Sequence, residues 1–352
     1  MTRRFHRRDV LKGSGAMALT VYASPLRAQA PAADVITPQL IEAAKKEGKV
    51  VYYTAIDLAL AERIAKSFET KFGIPVRVER TGAERVFQRI GQEYTSKIYA
   101  VDVVNSSDAA HFIVWKRQGI LAPHLPEDVA KFYAAEHRDP DGMHANFRAG
   151  LAVIGYNTNL VKKEEAPTSF ADLLDPKWMG KLVKAHPGYS GNVMTATFQI
   201  TRDLGWDYLE KLARQKVMQV QSSTDPPKKL ALGERAVMVD GNEYNALQLK
   251  EKGDPVEIVY ATEGTPMAVG PNAIFKNAPN PNAARLFNNY CFTAECQQLV
   301  VDVGALRSLH PQAKEHAGRR PLKDIKVMKD DAAGVEKSAA DIKARYSKIF
   351  GV

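Results

Sequence analysis

From residue 50 onward, short apolar runs of strand length alternate with longer stretches whose apolar residues recur at helical spacing. Val50-Val51-Tyr52-Tyr53 reads as a strand, and Leu58–Phe72 as the amphipathic helix after it, closed by Gly73-Ile74-Pro75. Val76–Arg80 is the next strand, with a helix from Thr81-Gly82-Ala83 through Tyr94. Residues 101–105 are a third, followed by Ser106-Ser107-Asp108 and a helix to Gln118-Gly119. Three β-loop-α units in a row predict a parallel, doubly wound sheet.

A second unit begins with an apolar strand at residues 149–157. It continues with a turn at 175–181, a strand at 182–185 and a glycine-rich loop at 186–192 before a helix at 193–201. A helix at 206–214 and a strand at 217–221 precede Ser222-Ser223-Thr224-Asp225, which caps a helix around 228–232. Residues 236–239 are a buried strand that stops at the turn Asp240-Gly241-Asn242, where a helix opens with Glu243-Tyr244-Asn245. Strands at 256–260 and 267–275, helices at 280–290 and 293–303, and a terminal helix at 333–350 complete the pattern.

In open α/β sheets, ligands sit beyond the carboxyl ends of strands, facing helix N-termini. That rule selects two sets of loops. The first half offers Thr54, Thr81, Gly82, Ser106 and Ser107; the second offers Tyr189, Ser190, Gly191, Asn192, Ser222, Ser223, Asp240 and Tyr244. Taken singly, each hydroxyl serves as well for capping its own helix.

The 352 residues suffice for two domains, and the net charge is +9. Six basic residues and one acid fall in the first thirty, so the rest of the chain carries only +4, which removes most of the electrostatic case for nucleic acid. Those thirty residues read as an export signal. Arg7-Arg8-Asp9-Val10-Leu11-Lys12 is a twin-arginine pattern, the run after it is mildly apolar, and Ala28-Gln29-Ala30 supplies the small residues of a cleavage site. The apolar run, about 14 residues, is shorter than the roughly 20 that span a bilayer. A periplasmic protein starting near Pro31 is expected. Cys291 and Cys296 stand five apart across a helix break, so both a disulfide and two buried thiols remain open.

No catalytic constellation stands out. Gly188-Tyr189-Ser190-Gly191 lacks the final glycine of a nucleophile elbow, and His137-Arg138-Asp139 has no phosphate-binding glycine loop beside it. No enzyme activity and no cofactor are expected.

The chain resembles the periplasmic solute-binding proteins of ABC importers, of the iron(III)-binding type. The resemblance rests on Val50-Val51-Tyr52-Tyr53-Thr54, Ala100-Val101-Asp102-Val103-Val104, Gln118-Gly119-Ile120-Leu121, Gly155-Tyr156-Asn157-Thr158, the block PTSFADLLDPKWMGK at 167–181, Glu263-Gly264-Thr265-Pro266 and Ala278-Pro279-Asn280-Pro281. It implies two α/β lobes, 31–145 with 265–312 and 146–264 with 313–352, closing on a ligand between them. It also implies an inner-membrane permease and ATPase as partners, with the chain itself a monomer. A sensor that hands its ligand to a receptor is the other role open to such a protein.

Iron binders of that family resemble one another in two adjacent tyrosines at the helix start that corresponds to Asn242-Glu243-Tyr244-Asn245. Asn245 here replaces the second, and a neutral amide is a poor ligand for a hard cation. The expected ligand is therefore a small anion, or a phosphorylated, phosphonate or carboxylate compound. Asp240 and Glu243 suit one that also bears an amine or hydroxyls. The alternative is ferric iron held by Tyr244, Tyr189, Asp240 and Glu243.

Overall fold

The structure, a computed structural model, describes residues 30–316 and 318–352. The expected export signal, with Arg7 and Arg8, lies outside the described residues.

The protein is a two-lobed α/β molecule. In the first lobe, Val50–Thr54 lies between Val76–Arg80 and Val103–Asn105, all parallel. Every residue of Val50–Thr54 is buried, as a strand covered on both faces requires. Helix Leu58–Phe72 is capped by Asp57, whose carboxylate accepts from the Ala59 N–H, and it ends where Gly73 turns left-handed at φ 71°. In the core beneath, Phe287 meets Tyr52 and Phe68 edge to face, and Tyr290 packs tilted against Phe68.

Two long strands, Ala145–Asn157 and Met267–Phe275, run antiparallel and join the lobes. The first half of Ala145–Asn157 pairs with Met267–Phe275; its second half pairs with Val237–Asn242 and Val256–Val259. The second lobe continues through Leu182–Ala185 and Met218–Val220, parallel to Val237–Asn242. Its core holds Trp178, Tyr208, Val237 and Tyr346.

Helix Ala332–Phe350 touches both lobes. Tyr346 is sunk in the second core, whereas Val335 and Ile342 share an apolar cluster with Ala110 of the first lobe and Met194 of the second. Glu336 accepts from Arg117 at 2.7 Å, and Lys343 lies 3.6 Å from Glu84.

Two boundaries differ from expectation. The first joining strand starts at Ala145, not at residue 149, because pairing with Asn272 and Gly270 extends it over a polar stretch that apolar pattern alone passes over. Val237–Asn242 does not turn at Asp240. It keeps pairing through Gly241 and Asn242 with Val153 and Ala152 after a register shift, and Glu243 starts the helix directly with no side-chain cap from Asn242. Cys291 and Cys296 are free, buried thiols, with helix Pro281–Phe292 ending between them. No helix among the described residues is long and apolar enough to cross a membrane.

Candidate functional site

The joining strands build a floor between the lobes. Side chains alternate along a strand, and directly opposed residues of an antiparallel pair share a face. Arg148, Gly150 and Ala152 therefore face the same way, and Gly270 and Ala268 stand opposite Arg148 and Gly150. Four of these five residues are glycine or alanine, and the room they leave is taken by one guanidinium. A Cβ on Gly270 would lie 3.0 Å from Arg148 Cζ and Nε, so the glycine makes the Arg148 rotamer possible.

Arg148 is only 3% exposed. Its Nε and Nη1 are buried with no hydrogen-bond partner. The groups that act on its charge are the phenols of Tyr244 and Tyr52; no carboxylate is among them. Burial lowers its pKa from the usual arginine value, but a guanidinium stays protonated in proteins. A buried cation without a counter-charge is costly, so this position favours an anion.

Beside it Gly150, Ala152, Ala268, Asn192 and Asn242 border a tight seam with no room for a water molecule. Gly150 adjoins both, since a Cβ there would lie 3.7 Å from Arg148 Nη1. Asn242 and Asn192 border that seam from the second lobe, as members of a polar cluster. Asn242 Nδ2 has Ser223 Oγ at 3.0 Å, Asn245 Oδ1 at 3.1 Å and the Tyr244 hydroxyl at 3.4 Å as acceptors for its two hydrogens. Asn192 Nδ2 donates to Asn242 Oδ1 at 3.3 Å, leaving Asn192 Oδ1 buried and unpartnered.

The first lobe brings its loops to the same place. The Thr54 carbonyl accepts from the Thr81 N–H, and Ser106 N–H reaches the Pro271 carbonyl of the floor at 3.4 Å. Gly82 lies against the Tyr189 carbonyl, and Gly191 against Ser107 and Asp108, so the loops of the two lobes touch. Tyr244, from the second lobe, packs on the core of the first. Burial raises its phenol pKa and the Arg148 charge pulls it back, so Tyr244 is a neutral hydroxyl at neutral pH.

Some expected residues go elsewhere. Tyr189 is 55% exposed, and its ring leans on His186. Asp240 is buried against Lys184 in the second core. The Ser222 N–H donates to the Asp225 carboxylate and its Oγ pairs with Thr224 Oγ1, so it serves its own loop. Ser106 Oγ bonds His111 Nδ1 at 3.0 Å, and Thr54 Oγ1 accepts from the Ile56 N–H at 3.2 Å, so both hydroxyls serve their own loops. Ser190 is partly buried at the start of helix Gly191–Leu204 and makes no capping bond.

The alternative iron set is not assembled. Asp240 is spent on Lys184, Tyr189 is exposed, and Glu243 is bound by Arg307 at 2.6 and 3.1 Å and by the Tyr260 hydroxyl at 2.5 Å. Among the described residues, no group of three or more His, Cys, Asp or Glu could hold a metal ion. The same pairings withdraw Asp240 and Glu243 from any amine or hydroxyl of a ligand.

Sequence reasoning missed Arg148. The available signal was a single charge within the otherwise uncharged run ANFRAGLAVIGYN, since arginine is rarely fully buried without a purpose.

Two expectations concern charge beneath and beside the cleft. Lys184 and Asp240 are fully buried, with Thr197 Oγ1 3.3 Å from the ammonium and the Tyr346 ring 5.4 Å away. Lys184→Met strands the carboxylate and is expected to cost about 3–5 kcal/mol in a urea melt, whereas pairing it with Asp240→Leu restores most of that. Glu84, beside the His111 ring and Lys343, has its carboxyl pKa held down to about 2. A depressed carboxyl contributes stability above its ordinary pKa, and that stability is lost as pH falls from 4.5 through 2. The loss is on the order of 1 kcal/mol for so partly exposed a group, and Glu84→Gln should flatten the acid limb of the stability profile over that window.

A family described as bacterial extracellular solute-binding protein matches residues 101–326. The chain belongs to that family, whose members bind small ligands and work with ABC permeases and ATPases. Among solved structures, the periplasmic binding protein AfuA of Actinobacillus pleuropneumoniae, with exogenous fructose-6-phosphate bound, superposes with a TM-score of 0.79 at 23% identity, covering 87% of this chain and 99% of that one. Iron-bound HitA of Pseudomonas aeruginosa gives 0.74 at 22% identity, over 85% and 99%. Iron uptake protein A1 of Synechocystis is 26% identical over 65% of this chain and 67% of its own length.

Proposed function

We propose that this protein captures a small organic anion, a phosphorylated, phosphonate or carboxylate compound, between its lobes and delivers it to an ABC importer. The observation that carries this reading is Arg148: a guanidinium on the cleft floor, almost wholly buried, with unpaired N–H groups and no acid beside it. An anion seated there cancels the desolvation cost of the charge, and each charge-assisted hydrogen bond adds about 1.5–3 kcal/mol. The fructose-6-phosphate bound to AfuA, a similar structure, is a ligand of this class.

The Arg7-Arg8 signal exports the folded chain to the periplasm, where it acts as a monomer. Its lobes, 31–145 with 265–312 and 146–264 with 313–352, pivot on the joining strands. Thr81, Gly82, Ser107, Ser190, Gly191, Asn192, Ser223 and Tyr244 line the mouth around Arg148, with Thr54 and Ser106 shaping the loops behind. The names of HitA and of the Synechocystis relative point to iron, but among the described residues no group of three or more His, Cys, Asp or Glu gathers for it.

Thermal-shift and calorimetric titration with sugar phosphates, glycerol phosphate, alkylphosphonates, hydroxy acids and ferric citrate tests the reading. Stabilisation by one of the anions, at micromolar to millimolar concentration, is the expected result. Tight stoichiometric uptake of ferric ion with indifference to every organic anion would overturn it.

A further inference from the structure

We infer that Arg80 is the entry residue of the cleft: its charge on the first-lobe rim draws the anion in and sets how fast it binds, while the buried Arg148 sets how long it stays. This rests on the reading of the cleft as an anion site and assigns its capture step.

Arg148 is not the charge that an arriving anion meets first. It is 3% exposed, and the seam beside it has no room for a water molecule, so its N–H groups come within reach only once the lobes part. Arg80 is exposed. It ends strand Val76–Arg80 opposite Thr54, and the next residue, Thr81, donates its N–H to the Thr54 carbonyl. Gly82, one position further, lies against the Tyr189 carbonyl of the second lobe. Arg80 therefore stands on the rim beside a point where the lobes touch.

Its guanidinium is fixed at one edge and unspent at the other. Nε donates to the Ile56 carbonyl at 3.0 Å, and among the described residues the group makes no other hydrogen bond and no ion pair. The arginines near it are paired, Arg77 with Glu79 and Arg89 with Glu79 and Glu93.

Tyr244 relates the two cations in space. It comes from the second lobe, packs on the first core, and its hydroxyl is reached by the charges of Arg148, Asp57 and Arg80. The buried and the exposed guanidinium thus serve one side of the cleft. Asp57, the acid of that set, caps helix Leu58–Phe72 through the Ala59 N–H.

An exposed charge contributes more to encounter than to the bound state. In water at low salt, one unit charge about 10 Å away raises the local concentration of a dianion about 4-fold and of a monoanion about 2-fold. The screening length is about 10 Å at 0.1 M salt, so the gain fades as salt rises.

Stopped-flow binding tests this at mildly alkaline pH, from about 10 mM to about 0.5 M salt. The probes are glucose 6-phosphate, glycerol 3-phosphate and malate as dianions and lactate as a monoanion. Arg80→Gln should take up the dianions about 4-fold more slowly at low salt and lactate about 2-fold, with release changed less than about 2-fold and the deficit gone at high salt. Arg80→Lys keeps a point charge and should bind at the wild-type rate. Asp57→Asn keeps a capping side chain, removes the opposing charge and should bind faster than wild type. Arg148→Met should hasten release. An Arg80→Gln deficit that persists at high salt, appears in release or is shared by Arg80→Lys would make Arg80 a support of its loop and overturn the inference. An association rate unchanged in Arg80→Gln overturns it too, and in each case faster release from Arg148→Met leaves the anion reading standing. Wild type that takes up none of the four anions, or Arg148→Met that releases them as slowly as wild type, defeats both together.

Discussion

Replacing Arg148 with methionine is expected to stabilise the empty protein and to cut anion affinity by about 100-fold or more. The two effects have opposite signs because one charge causes both. In the empty cleft the guanidinium sits buried with Nε and Nη1 unpaired, and methionine fills similar space on the glycine- and alanine-lined floor without that cost. Exchanging a buried charge for a packed apolar side chain is commonly worth about 1–4 kcal/mol, which for a chain of this size raises Tm by a few degrees. With ligand present the same change removes two charge-assisted hydrogen bonds, about 3–5 kcal/mol in all. Calorimetric melting without ligand and titration with it read the two arms separately. A variant that loses stability and affinity together would show that Arg148 supports the fold rather than the guest.

Gly191→Val is expected to hold the lobes apart. Gly191 opens helix Gly191–Leu204 in the second lobe, and the space its side chain would need belongs to the first lobe. A Cβ there would come 2.6 Å from Asp108 Cβ and 2.8 Å from the Ser107 carbonyl oxygen. Neither is the free end of a flexible chain, so the strain is relieved by separating the lobes rather than by a rotamer change. Each lobe keeps its own core, and the variant should melt near the wild-type temperature. Its affinity should fall about 10- to 100-fold, since a closed form raised by roughly 1.4–2.8 kcal/mol is populated that much less. Small-angle scattering should show a larger radius of gyration with ligand than the wild type has. Unchanged affinity and radius would mean that the contact of Gly191 with Ser107 and Asp108 does not belong to the bound state.

Much of the fold is legible in the sequence because its cues are local. Val50–Thr54 and the helix after it follow from a fully apolar run, an aspartate cap and a terminating glycine, and Met267–Phe275 is bounded by turn residues at both ends. The loops flagged by the strand-end rule do meet: Gly191 rests on Ser107 and Tyr244 on the first core. What stays hidden is how each polar side chain is spent. Asp240 looks like a cleft residue by position, yet strand Val237–Asn242 carries it inward to Lys184, a partner 56 positions away. Glu243 is likewise taken by Arg307, from a segment with no secondary-structure signal of its own. Arg148 was passed over for the opposite reason. It sits in a strand whose register with Gly270 decides its environment, and register is a property of two distant segments.

Native mass spectrometry of the protein purified from its own host without unfolding, with phosphorus and metal analysis of the same sample, reads the cleft most directly. Wild type should carry a single small organic anion that is released on denaturation, and Arg148→Met should come through the same purification empty. Stoichiometric iron in the wild type, or the same guest retained in full by Arg148→Met, would contradict an anion held between the lobes by that guanidinium.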